Sequence, residues 1–557
     1  DNSPFLQQAL EGAALSGTPV VLPPGALGFA QSISVPPGVR ILGQSQTTLV
    51  GLLKPTGPIQ SAPSTDAGTC LFHANIAGYS QVGLYQEVTP IVQPVGVGDS
   101  AVTLASADGF NVGDSVQLTD ADHNLRLSYY RVTAISGNQL VFDRPVRFVF
   151  PVGEGVGVRR VLGLPRNIEI FGNGMRISGS CSRYLELAGA QNCTVRDIRF
   201  TSEFGAAYVL LAAYDLGSVA SSFINMSVDG APWPAFAENL PLWKSLPSCS
   251  GLALESAENC TMANCTVEQL VEGGVAFNVW DSVDCSVNNC TASSSYCGLG
   301  LSTDGPLHVG SQYCSVSGGN FSNNGGYGIF LGRGSSHCSL QGFVANQNGI
   351  AGLYVAGAEV GGTPTGNSAS NFTVQANGDH ADSEVGANVY IGYGVAESAL
   401  SNFDFSGVSG PISNLRAGLI LSSDCQVVNA TAQAGNRFGI WQNMGRVSIV
   451  GLQLDSGMVN GSVANPSCLI QIPDGPLTST QGAMEAGSDR LQCGDNQFSV
   501  LDVGKTIEVE QAGPEGGVLR ATIVALEQAG SELTSPAVRL SQVASQSVAA
   551  TPVRYWP

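Results

Sequence analysis

The sequence predicts an all-β chain wound as a parallel solenoid, and three observations predict it. A short phrase recurs in which Gly or a small residue precedes alternating apolar residues: Gly251-Leu252-Ala253-Leu254, Gly274-Val275-Ala276-Phe277 and Gly298-Leu299-Gly300-Leu301. It returns at Gly328, Gly352, Gly418 and Gly439, with Ala387-Asn388-Val389-Tyr390-Ile391 filling the one long gap. Copies lie roughly 21 to 35 residues apart, the period of solenoids. Second, cysteines keep step with the phrase: Cys193, Cys260, Cys285, Cys314, Cys338 and Cys425 each open an apolar-alternating stretch. Third, Gly makes up 70 of 557 residues and only 12% are charged, while 43% are hydrophobic. Period-two alternation gives each phrase one buried face, which a single rung cannot bury and a stack of rungs can.

Taken in chain order, the first element is a helix. Ser3 is its expected N-cap and Pro4 its first residue, with Phe5, Leu6, Ala9, Leu10 and Ala13 at helical spacing. Three short strands follow in "VVLPPG", "ISVPPG" and "VRILG", punctuated by Pro-Gly turns. A helix over the first rung protects a sheet edge that would otherwise pair with another chain. Residues 88–160 break the repeat. Gly-Asp and Gly-Asn turns between alternating strands predict an inserted antiparallel β subdomain. The coil resumes near Asn167-Ile168-Glu169-Ile170 and runs to about 477, with Asn- and Gly-rich turns that tolerate positive φ. Residues 478–557 change again to hairpin-forming strands such as Thr506-Ile507-Glu508-Val509, a small C-terminal β module. The expected domains are therefore 1–87, 88–160, 161–477 and 478–557.

The helix, "VVLPPG", "ISVPPGVRILG" and the long Gly-rich coil together resemble the pectate-lyase-like superfamily of right-handed, single-stranded parallel β-helices, in the version found in phage tailspikes. The C-terminal segment is similar to a β module of phage tail fibres and spikes, where it lies near a subunit interface. The resemblance implies a homotrimer on the virion tail. It also implies a bacterial surface polysaccharide (O-antigen, capsule or exopolysaccharide) as partner and a depolymerase activity.

The net charge of −20 argues against nucleic acid, whose phosphates are bound by Lys and Arg, and against docking on anionic lipid. No apolar run reaches the length of a membrane-spanning helix, so no membrane insertion is expected. The 14 cysteines read as free, buried thiols, because a residue type recurring once per rung stacks on itself inside the coil. Asn192, Asn259, Asn289 and Asn371 precede x-Ser/Thr but fall at repeat positions, and read first as turn residues.

Four loops depart from the rung period, and such insertions mark the binding side. The loop from Asp229 to Ser248 carries Trp233, Trp243 and Lys244. Aromatic rings take the C–H face of a sugar, but these rings serve equally to pin a long loop onto the coil. Trp280 lies at a rung position as a stacking surface or as rung-end core. Glu255, Asp281 and Asp304 follow three successive phrases, and Glu272 precedes the second. Rungs stack about 4.8 Å apart, so carboxylates one or two rungs apart approach glycosidase spacing. Acidic residues are also common solvated turn residues. The loop "STDGPLHVGS" adds His308 to Asp304, and its Ser-Thr-Asp is similar to the Asn-Thr-Asp phrase of polygalacturonases. The Asp-Asp and Gly-His-Gly phrases of that family are missing. The signatures of calcium-dependent pectate lyases and the Asp-Pro-His-Asp phrase of alginate epimerases are absent too, and no metal or other cofactor is expected.

Two chemistries stay open. Hydrolysis would use Asp304, Asp281 and Glu272. β-Elimination on a uronic acid would use Tyr296, His308 and Arg333, with Arg333 placed to clamp an acidic sugar. Alternatives are a non-catalytic adhesin with the same coil, and a secreted polysaccharide lyase or epimerase without a phage role.

Overall fold

A computed structural model describes residues 1–52, 70–74, 87–119, 128–162, 164–179, 183–202, 211–230, 250–270, 274–302, 310–332, 334–356, 364–378, 385–392, 395, 397–406, 415–421, 425–432, 438–442, 447–454, 468–471, 477–493, 498–499, 506–526, 534–535 and 537–555. The chain forms two compact units, 1–320 and 321–557.

In the first unit the helix Ser3–Ser16 buries Leu6, Leu10 and Ala13. Its N-cap is Asn2, one residue before the Ser3 expected from the sequence. The reason is Asp1, whose Oδ1 accepts from the Ser3 amide at 3.0 Å and the Ser3 hydroxyl at 2.6 Å, drawing Ser3 into the first turn. Gln7 on this helix covers the sheet edge. Its Nε2 donates to Ser34 O at 3.2 Å and its Oε1 accepts from Ser34 N at 2.9 Å.

The repeated phrases are strands of one parallel sheet. Ile33–Ser34, Cys70–Ala74, Arg183–Ala188, Leu211–Leu216, Ser250–Glu255, Val275–Trp280 and Cys297–Ser302 pair in that order. The cysteine-led stretches form a second parallel sheet, in which Glu169–Gly179 pairs with Thr194–Ser202. From there on each rung contributes two short strands, as in Thr261–Ala263 and Thr266–Glu268. This is a parallel β-helix, all-β apart from its cap. Its turns require left-handed backbone, supplied more often by Asn than by any other residue with a Cβ, as at Asn192 (φ 54°), Asn259 (φ 55°) and Asn289 (φ 51°). That conformation is the one Asn tolerates best among residues with a Cβ.

Behind the turns the thiols stack. The ten cysteines whose side chains are described are all free and buried. Cys260 N donates to Cys285 Sγ at 3.4 Å, and Cys314 Sγ lies one rung further, reaching back to Ser282 O at 3.5 Å.

Residues 89–160 form a six-stranded antiparallel sheet with its own apolar core. Val283 of the coil joins that core. Arg144 Nε meets Glu258 Oε2 at 2.9 Å, and Arg147 meets Asp284 Oδ2 at 2.9 Å. Two arginines of the insert thus grip adjacent positions of the same turn on successive rungs.

The second unit repeats the pattern. Tyr327–Leu331, Ala351–Val355, Val385–Ile391, Leu415–Leu421, Phe438–Gln442 and Cys468–Gln471 pair in parallel. Inside it Phe343, Phe372 and Phe403 stack nearly flat, with centroids 4.8 and 4.6 Å apart. Buried amides run beside them: Asn324 Nδ2 donates to Asn348 Oδ1 (3.1 Å), Asn348 to Asn377 (2.9 Å) and Asn377 to Asn388 (2.8 Å). Six strands between 477 and 555 close into an antiparallel barrel, and Phe498–Ser499 pairs separately with Thr534–Ser535.

Candidate functional site

The phrase sheet of the first unit has two faces. Phe72, Leu185, Ala213, Leu252, Phe277 and Leu299 share one register row, and all are buried in the coil. The next residue on each strand lies on the opposite face, because side chains alternate. That row carries His73, Glu186, Ala253, Asn278 and Gly300.

An outer row is expected to be wet, yet this one is not. Relative exposure is 8% for His73, 1% for Glu186 and 0% for Asn278. Arg183, also 8% exposed, donates from Nη1 to Glu186 Oε2 at 2.5 Å. The pair sets a positive and a negative charge against each other, as a buried carboxylate requires. Asn278 Nδ2 donates to Ser250 Oγ at 3.0 Å. Three polar atoms are left with no hydrogen bond: His73 Nδ1, Glu186 Oε1 and Asn278 Oδ1. Each such atom costs about 1–3 kcal/mol in desolvation. A fold that needed only packing would place apolar groups there.

Burial lowers the His73 imidazole from its usual 6.5 to about 4. At neutral pH it is uncharged, with one ring nitrogen a donor and the other an acceptor. A neutral imidazole beside a carboxylate that is itself held by a guanidinium can take up a proton, hold a hydroxyl or orient a sugar ring. Among the described residues no three His, Cys, Asp or Glu side chains stand close enough to hold a metal ion.

The residues picked out from sequence fall as follows. Glu255 pairs in register with Trp280, and Trp280 with Ser302, two residues along the same strands from the Ala253–Asn278–Gly300 row. Glu255 is buried and Trp280 half-buried. Asp281 is buried and left-handed at φ 46°, matching Ser256 (φ 49°) one rung earlier. Glu255 and Asp281 therefore occupy neighbouring rows instead of one column. Tyr296 is half-buried at the corner before Cys297–Ser302, its amide donating to Gly274 O at 3.0 Å. Asp304, His308, Glu272, Trp233, Trp243, Lys244 and Arg333 lie outside the described residues.

Sequence reasoning passed over Arg183, Glu186 and His73. The available signal was a pair of charges within the otherwise apolar strand "RYLELA" and a His between the apolar neighbours of "CLFHA", in a chain with few charges.

No family model matches the chain, and no curated protein does. Among solved structures it is similar to the tailspike protein gp49 from Pseudomonas phage LKA1, with 14% identity over 99% of this chain and 92% of that one, at a TM-score of 0.49. It is also similar to a mannuronan C-5 epimerase A-module of Azotobacter vinelandii (13%, 82% and 95%, TM-score 0.49). A third is the tailspike protein of E. coli bacteriophage HK620 in complex with a pentasaccharide (11%, 100% and 89%, TM-score 0.47). The parallel β-helix is established by the chain's own strand register.

Proposed function

We propose that this chain binds and cleaves a bacterial surface polysaccharide, acting as a tailspike-type depolymerase. The observation that carries the reading is the buried Arg183–Glu186–His73 group on the outer face of the phrase sheet. Desolvated ionisable groups with unused hydrogen-bonding atoms are what proton-transfer chemistry needs and what packing avoids. A parallel sheet repeats its outer face every rung, so a polymer is the ligand it fits. Glu255, Trp280 and Asp281 then extend the binding face along the coil. The full assembly is a trimer on a virion tail, its C-terminal barrel near the subunit interface.

Glu186 and His73 move the protons in this scheme, whether the glycosidic bond is broken by water or by elimination. The test is incubation with purified O-antigens, capsules and exopolysaccharides, read by size-exclusion chromatography with ultraviolet absorbance. Shortened chains that disappear in Glu186→Gln support the reading, and absorbance near 235 nm assigns elimination. Full shortening by both Glu186→Gln and His73→Ala would remove this site from the reaction. Binding without shortening would leave an adhesin.

A further inference from the structure

Asn278 holds one of the three orphaned polar atoms on the outer face, and it stands apart from the other two. Along the register row Glu186 is followed by Tyr214, Ala253 and Asn278. Three rungs, about 14 Å along the coil, therefore separate Asn278 from Glu186. The Asn278 amide bridges its two neighbouring strands. Its Nδ2 points back one rung and donates to Ser250 Oγ at 3.0 Å. Its Oδ1, buried and without a hydrogen bond, faces forward to Gly300 on the next rung.

Gly300 leaves a notch at that point. Its backbone lies outside the left-handed region, so the position does not require glycine. Among the described residues, a Cβ built on it would meet only Val275 Cγ1 at 3.4 Å and Asn278 Oδ1 at 3.5 Å, both ordinary contacts. Elsewhere the chain completes such rows. In the second unit the buried Asn348 Oδ1 takes the Nδ2 of Asn324 from the rung before. A serine or asparagine at 300 would close the first-unit row in the same way. Glycine instead keeps a desolvated acceptor facing open space, which packing alone disfavours.

We infer that this notch is a subsite for the acetamido group of an N-acetylamino sugar. A secondary amide N–H gives one proton and accepts nothing, which matches a lone acceptor. A sugar hydroxyl would bring lone pairs of its own, and neither Val275 Cγ1 nor Asn278 Oδ1 donates to them. The acetyl methyl rests on Val275, while the amide carbonyl, trans to the N–H, points out of the notch. Trp280 is half-buried two residues along the same strand and on the same face, where it takes the C–H face of the ring. The assignment rests on the reading that this face holds a polysaccharide, and not on proton transfer at Glu186.

The experiment is calorimetric titration of the full chain with chitotetraose, cellotetraose and the fully de-N-acetylated chitosan tetramer. The three share one backbone and linkage and differ in carrying acetamido, hydroxyl or ammonium. Chitotetraose is expected to bind at least tenfold tighter than either relative. Asn278→Ala removes the acceptor, and Gly300→Ser puts a hydroxyl on Oδ1 in the ligand's place, so each should weaken chitotetraose at least tenfold. Gly300→Ser should also melt no lower than the parent, because it satisfies the orphaned atom. No binding of chitotetraose, equal binding of cellotetraose, or unchanged binding in either variant would overturn the assignment and leave an ordered water as the partner of Oδ1. Failure of the parent chain to shorten any polysaccharide would sink the depolymerase reading and leave this one standing.

Discussion

Glu186 and His73 occupy the same register on adjacent parallel strands, and each keeps one buried polar atom without a hydrogen bond, Oε1 and Nδ1 respectively. Neither atom helps hold the coil together. Substituting His73→Ala is therefore expected to abolish most cleavage, by about a hundredfold or more, while the melting temperature stays level or rises; Glu186→Gln should abolish cleavage as well but lower the melting temperature, because it takes the carboxylate away from the buried Arg183 guanidinium. Paired activity and melting measurements check it. A large fall in melting temperature in His73→Ala would make that residue structural.

The His73 imidazole also predicts a pH dependence of stability. Its folded value of about 4 lies below the unfolded 6.5. The unfolded chain thus binds the proton first as pH falls. Stability is complete above pH 6.5, drains between 6.5 and 4, and loses nothing further from this group below 4. The loss is on the order of 3 kcal/mol at 1.36 kcal/mol per pH unit. Denaturant titrations at pH 7, 5.5 and 4 should show it, and His73→Ala should flatten that part of the curve.

The thiol column is expected to be chemically silent. Burial pushes Cys425 up to about 12, and Cys285, desolvated between Cys260 and Cys314, is held well above the ordinary thiol range. Thiolate is the reactive form, so a thiol reagent at pH 8 should leave these cysteines unlabelled until denaturant is added. Fast labelling of Cys285 in the native protein would contradict the packing.

In the second unit the amide chain Asn324–Asn348–Asn377–Asn388 runs through buried positions. Asn377→Ala removes the acceptor of both the Asn348 amide (2.9 Å) and its Nδ2 (2.9 Å), and the side-chain donor to Ala345 O (3.0 Å). The expected loss is about 2–4 kcal/mol, read by denaturant unfolding. Asn429→Ala, at an exposed turn pair with Asn402 (3.0 Å), should cost about 1 kcal/mol or less.

The insert's grip predicts a milder effect. Removing the Glu258 carboxylate as Glu258→Gln leaves Arg144 and Arg147 without their shared partner. A loss of about 2 kcal/mol is expected. Proteolysis should then cut within 89–160 faster than in the parent.

The sequence by itself determined the winding. Each phrase from Gly251 to Gly439 alternates with period two, each cysteine that opens a stretch of the second sheet marks an inward position after a turn, and an Asn or Asp before several of them supplies positive φ. These are local properties, readable wherever they occur, because a solenoid repeats one rung. The capping helix was legible for the same reason, with its N-cap shifted one residue by a contact from Asp1. Only the tertiary structure decided the candidate site. Arg183 and Glu186 lie three apart, but His73 reaches them across the whole antiparallel insert, through a strand pairing that no local pattern encodes. Nor does composition say that an outer-face row is dry. Alternation marks which side of a strand a residue takes, and burial depends on what is laid against it. For the same reason Glu255 and Asp281 looked equivalent in an alignment of repeats, yet stand in neighbouring rows, since the strand ends between them and Asp281 takes the left-handed turn.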